Sequence, residues 1–161
     1  MYTSEPIKKS ITLETLLLNE LNQQNDWIEL SLNYKLSEEM LEIFLDKVDW
    51  NCVSIYQKLS EPFIEKFSDK VNWDFICTHQ ILSESFIEKH KDKVEWNFIS
   101  RFQILSESFI EKHLNDVNWN YISMNQKLSE SFIEKHRYRV NWYFIFNHQN
   151  LSKSFVEKYK K

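Results

Sequence analysis

Five histidines and two cysteines are the residues of this 161-residue chain best suited to metal binding or proton transfer. Three of the histidines, His90, His113 and His136, fall 23 residues apart. Such a series suggests a metal ladder or a pH-sensitive column. Phe44, Phe67 and Tyr159 fill the same column, so the expectation is a shared aromatic packing role. Units stacked about 10 Å apart would also hold three imidazoles too far apart to share one ion at about 2 Å. Cys77 and His79 make half a metal site, but Cys52 occupies a different column, so no four-ligand set is expected. No Ser-His-Asp, paired-carboxylate or HExxH arrangement stands out, and the serines read as helix caps. Glycine is absent, where average usage would give roughly eleven, so Gly-rich phosphate loops are excluded. The chain reads as non-enzymatic, with no cofactor and no metal.

Charge bounds the partners. The net charge is −4, a poor match for a phosphate backbone. It is unevenly spread: residues 1–50 carry 4 basic and 10 acidic side chains, and residues 133–161 carry 7 and 2. The basic end (Arg137, Arg139, Lys153, Lys158, Lys160 and Lys161) keeps nucleic-acid binding open as an alternative. Opposite charge at the two ends also favours head-to-tail self-association. No run of 18 apolar residues suggests a membrane span. The N-terminus lacks the features of a signal peptide, and the cysteines are few. The expected location is the cytoplasm.

The elements that position these residues follow from a repeat. Trp27, Trp50, Trp73, Trp96, Trp119 and Trp142 are each 23 residues from the next, and a Leu-Ser pair recurs from Leu36-Ser37 to Leu151-Ser152 at the same interval. Each unit reads as two short helices of about eight or nine residues. Ser83 caps the first, Glu84 sits in its first turn, and Leu82 and Ile87 take the two positions of a hydrophobic staple. Phe86, Ile87, His90 and Val94 make its apolar stripe. Glu95 caps the second helix, as Asp49, Asn72, Asn118 and Asn141 do in sister units, and Trp96 opens it. Pro62 falls in a first turn, where proline is tolerated. Helices this short are marginal alone and must stack, which makes an all-α solenoid of 23-residue repeats over residues 27–161. Residues 1–26 read as a tail and an N-terminal cap helix, with Leu13, Leu16, Leu17 and Leu21 at helical spacing.

The "LSE-x-FIEK" and "V-N-W-x-x-I" segments, over roughly residues 27–161, resemble the tryptophan-repeat proteins of entomopoxviruses and other large DNA viruses and phages. The resemblance implies a viral or phage setting, and carries over no catalytic residues.

Equivalent positions of a solenoid form ladders. The Trp ladder reads as core, the Gln ladder (Gln57 to Gln149) as a set of buried amides bonding loop carbonyls or one another, and the Glu and Lys columns as a solvated face with cross-repeat ion pairs. Recognition needs variety. Five residues after each Trp come Leu32, Ile55, Thr78, Arg101, Met124 and Asn147, and one further on Asn33, Tyr56, His79, Phe102, Asn125 and His148. The expected partner surface is Tyr56, Thr78, His79, Arg101, Phe102, Met124, Asn125, Asn147 and His148, with Tyr56, His79, Arg101 and Phe102 as central anchors. The expected function is a protein-protein interaction module that blocks or recruits a host or viral protein, such as a defence component.

Overall fold

The computed structural model describes residues 28, 31–32 and 34–160. The tail, the cap helix, Trp27, Asn33 and Lys161 lie outside the described residues. Among the described residues there are eleven α-helices and no strand. The first helices of the units are α1 (Glu38–Ile43), α3 (Glu61–Lys66), α5 (Glu84–Lys89), α7 (Glu107–Lys112), α9 (Glu130–Lys135) and α11 (Lys153–Tyr159). The Trp helices are α2 (Trp50–Tyr56), α4 (Trp73–His79), α6 (Trp96–Phe102), α8 (Trp119–Asn125) and α10 (Trp142–His148).

The caps are where the sequence puts them. Ser83 Oγ accepts the Phe86 amide at 3.2 Å, and the other Leu-Ser serines do the same. Glu95 accepts the Asn97 amide, and Asp49, Asn72, Asn118 and Asn141 cap their own Trp helices. Leu82 and Ile87 are both buried. The helices are six or seven residues long, shorter than the eight or nine expected. The cause is a tight turn after the first helix. The His90 amide reaches both Phe86 and Ile87 carbonyls, and the Lys93 and Val94 amides fold back onto the His90 carbonyl. Val94 is therefore brought to the buried face by a turn rather than by a continued helix.

The closest helix packing runs along the Trp helices, α2 to α4 to α6 to α8 to α10. Small buried side chains permit it: Ser54, Cys77, Ser100 and Ser123 share one column. Each of these serines donates to the carbonyl of its own Trp and accepts the cap amide of the next unit, as Ser100 does from Trp96 to Asn118.

Each of Trp50, Trp73, Trp96, Trp119 and Trp142 is half-buried and packs on the core of the next unit. Trp73 stacks on Phe86 at 6.2 Å and on His90 at 5.1 Å, and its indole N–H donates to the Ser68 carbonyl at 2.9 Å. The two ring contacts recur at Trp50, Trp96, Trp119 and Trp142, and the indole bond at Trp50, Trp119 and Trp142. Such pairs add about 1 kcal/mol each beyond burial.

The Gln ladder bonds backbone three times per unit. Gln103 donates to the Cys77 and Gln80 carbonyls, both at 2.8 Å, and accepts the Leu82 amide at 2.9 Å. Gln57, Gln80, Gln126 and Gln149 repeat the pattern one unit apart. The first-turn Glu column corrects the expectation of a merely solvated face. Glu38, Glu61, Glu84, Glu107 and Glu130 each accept the backbone amide of the next unit's capping serine. That amide lies at the N-cap, outside its own helix, and needs an acceptor.

The last unit differs in the columns that receive a following one. Phe146 stands in the small column, Lys153 in the first-turn Glu column, and Tyr143 where Asn51, Asn97 and Asn120 accept the next unit's cap amide side chain.

Replacing Gln103 by Ala strands two carbonyls and one amide in a buried site. At about 1–3 kcal/mol per stranded group, the expected loss is about 3 kcal/mol or more in urea unfolding. Gln103→Met keeps the volume and falls with it. A Met variant as stable as the parent would place the contribution in packing instead.

Candidate functional site

The histidine column packs as expected, and it also carries hydrogen bonds that the aromatic reading missed. His113 lies between Glu88, at 2.7 Å from Nε2, and Asp116, at 3.0 Å from Nδ1. His136 Nε2 meets Glu111 at 2.5 Å, and Tyr159 donates to Glu134 at 2.9 Å. Apart from His113–Asp116, which lies within one unit, these contacts link one unit to the one before it. The carboxylates are shared with lysines: Lys89 pairs with Glu65, Lys112 with Glu88, Lys135 with Glu111 and Lys158 with Glu134. The lysine hydrogen bond is the main reason that these four carboxyls sit below the usual range. His90 differs. Its Nε2 is buried without a partner, and desolvation lowers its pKa against the weaker opposing pull of Glu65.

The other chemistry-bearing residues are dispersed. Cys77 is buried, and burial pushes its thiol up to about 11. His79 is exposed, with Nδ1 beside the Thr78 hydroxyl at 2.6 Å and the Phe75 carbonyl at 3.2 Å. Two residues of the basic end are engaged within the stack. Arg139 donates to the Leu114 carbonyl and Asn115, and Lys158 pairs with Glu134. Arg137 lies over the ring of Tyr138 at 4.4 Å. Lys153 and Lys160 are exposed.

The varied columns come together on one edge of the Trp-helix layer. Tyr56, His79, Arg101, Phe102, Met124, Asn125, Asn147 and His148 are exposed, and Thr78 is half-buried. They occupy the last turns of successive Trp helices, because Ile and the small residue two and one positions before them face inward. Two further residues belong to this edge and were missed. Ile81 and Ile104, in the connection after each Gln, are 93% and 90% exposed. Their signal in the sequence is an apolar residue in a column that Lys58, Lys127 and Asn150 fill elsewhere.

The edge carries two adjoining clefts. One, of about 400 Å³, lies between α4 and α6 and is lined by Phe75, Phe98, Phe102, Arg101, Thr78 and Asp74, with His79 at its rim. The other, of about 330 Å³, lies between α2 and α4, with Tyr56, Lys58 and Ile81 on its walls, and shares His79 with the first. Arg101 stacks over Phe102 at 4.9 Å and Tyr121 at 5.5 Å, and makes no ion pair among the described residues. Positions 55, 56 and 58 and their equivalents through 147, 148 and 150 carry Lys58, Arg101 and Lys127 and no carboxylate. The arrangement suits binding. Its aromatic surface, unpaired guanidinium and shallow concavity supply contact area, and the hydroxyl–imidazole pair on it, Thr78 with His79, has the Thr78 hydroxyl within reach of the Asp74 and Phe75 carbonyls. No helix among the described residues is long and apolar enough to cross a membrane.

His90 sets a pH dependence with a definite sign. Its folded pKa is depressed, so its contribution is intact above the ordinary value of 6.5 and is lost as pH falls toward the folded value. The four lysine-paired carboxyls act in a lower window, losing their contribution as pH falls below 4.5 toward their depressed values. His90→Phe, the residue type of Phe67, should flatten the fall in stability between about pH 7.5 and pH 5 and leave the lower window unchanged. Equal slopes in the two proteins, measured by urea unfolding across that range, would contradict the assignment. Comparison with protein-family models, with curated proteins and with solved structures finds no match to this chain.

Proposed function

We propose that the chain is a non-enzymatic protein-interaction module, with the acid-free edge of the Trp-helix layer as its contact surface. The observation that carries this reading is the division of labour among the columns. The regular columns are consumed in holding unit to unit: Gln by backbone clamps, Trp by stacking, and Glu by amides and lysines. Among the described residues, the side chains of the varied columns make no hydrogen bond or ion pair between units, yet they expose Tyr56, Phe102 and Met124 beside Ile81 and Ile104. Aromatic residues and arginine at the centre of a patch are the usual anchors of a protein interface.

The mechanism is steric: a rigid repeat surface occupies a partner's own binding site or tethers it to another protein. In the viral or phage setting that the resemblance implies, the partner is a host or viral protein, such as a defence component, met in the cytoplasm. A count of only two cysteines in 161 residues fits a reducing compartment. Nucleic-acid binding through the basic end is less favoured, since Arg139 and Lys158 are already engaged in holding the last units together. Head-to-tail self-association is less favoured too, since Phe146 and Lys153 replace the groups that would receive another unit.

Tagged protein should capture a partner protein stoichiometrically from host lysate, with or without nuclease. The double change Arg101→Glu and Phe102→Ala should abolish capture while leaving the helical circular-dichroism signal intact. Retained capture would remove the edge from consideration. Recovery that vanishes with nuclease, with a steep salt dependence, would move function to nucleic acid and the basic end.

A further inference from the structure

Resting on the interaction-module reading, we propose that the two adjoining clefts seat an acidic amphipathic helix of the partner protein, with one of its carboxylates on Arg101. Three observations converge. First, the guanidinium carbon of Arg101 lies 4.9 Å from the centre of the Phe102 ring and 5.5 Å from that of Tyr121, and the group lacks a carboxylate partner among the described residues. Restrained by two rings, it retains the planar fork that suits a bidentate acceptor. Second, the Thr78 and His79 side chains on the α4–α6 cleft are engaged with each other and with backbone. Thr78 Oγ1 donates to the Asp74 or Phe75 carbonyl and contacts His79 Nδ1, which leaves the faces of Phe75, Phe98 and Phe102 for an apolar side chain. Third, Lys58, Arg101 and Lys127 line the edge at positions where no unit has an acid, although the chain as a whole is acidic.

The geometry also sets orientation and spacing. Asp74 is the one carboxylate among the residues lining the α4–α6 cleft and sits in the first turn of α4, one helical turn before Thr78. An acidic partner must therefore place its carboxylates toward Arg101 and its apolar face over the phenylalanines. Along the stack the two clefts are one unit apart, about 8–10 Å for packed helices, the α4–α6 cleft on the helix bodies and the α2–α4 cleft at the helix ends and connections. A helix rising about 1.5 Å per residue presents residues seven apart on one face at a similar distance, about 10.5 Å. One apolar side chain enters each cleft on either side of His79, and Ile81 and Ile104 flank the contact as an apolar rim that excludes water. A membrane would meet only the two isoleucine tips and leave the concave aromatic surface empty. A nucleic acid would meet three cations on a chain of net charge −4.

The test is selection from a displayed library of random 16-residue peptides against the full chain, followed by affinity measurement on the enriched sequences. The expected winners carry Asp or Glu beside aromatic or large aliphatic residues spaced seven apart. Arg101→Glu should weaken their binding about tenfold or more, and Arg101→Lys should do so partially, since lysine lacks the planar fork. Phe98→Ala should weaken binding without altering the preference for acid. Winners that are neutral or basic, or that bind the Arg101→Glu protein equally well, would overturn the acidic-helix assignment while leaving a protein-interaction role standing. No enrichment at all, together with binding to anionic phosphatidylserine vesicles or to a single-stranded oligonucleotide, would overturn this proposal and the interaction-module reading together.

Discussion

A helix that ends inside a stack leaves carbonyls without partners, and every unit of this chain faces that constraint. The common solution is a glycine in the left-handed region. This chain has no glycine, and no described residue has a positive φ. The carbonyls at the end of each Trp helix are instead taken up by the Gln of the next unit, which caps its own helix and reaches back to the one before. Because both amide protons and the oxygen are used on backbone, the clamp fixes the distance and rotation between units at once. Trp stacking, the serine bridges between Trp helices and the Glu–Ser contacts all operate at the spacing that this amide sets.

Contacts across the stack fall into two kinds. Those on buried backbone leave few alternative arrangements, and they recur in unit after unit. Those on the outer face vary: the aromatic column is Phe67 in one unit, an imidazole without a partner at His90, an imidazole between two carboxylates at His113, and a phenol at Tyr159. Lys66 and Glu42 remain paired even where the column holds phenylalanine. Exposed pairs of this kind contribute under about 1 kcal/mol each, which is why the column tolerates such variety.

Much of the fold can be read along the chain because the decisive interactions are local. Ser83 to Phe86, Leu82 to Ile87 and Glu95 to Asn97 all lie within five residues, and caps and staples have recognisable patterns at that range. The 23-residue period then implies stacking, since no single unit can bury its own apolar face. What escaped lies between units. That Glu84 accepts an amide 22 residues on, or that His113 meets Glu88, depends on the rotation of one unit against the next. Helix length was overestimated for a related reason, since a turn can bring Val94 to the same face as a continued helix would. The varied columns were legible as surface, but Ile81 and Ile104 were not. An isoleucine reads as core until the direction of its connection is known, and here the neighbouring Leu82 and Leu105 take the inward positions.

The last unit keeps every group that reaches backward and changes several that would be reached for. Gln149 and Trp142 still serve the interface already formed or the final helix, whereas Phe146, Lys153 and Tyr143 replace the serine, glutamate and asparagine that other units offer forward. Backward and forward roles are thus written in different residues. A unit that carries both sets can receive and follow another of its kind, so the register of the stack does not depend on how many such units it holds.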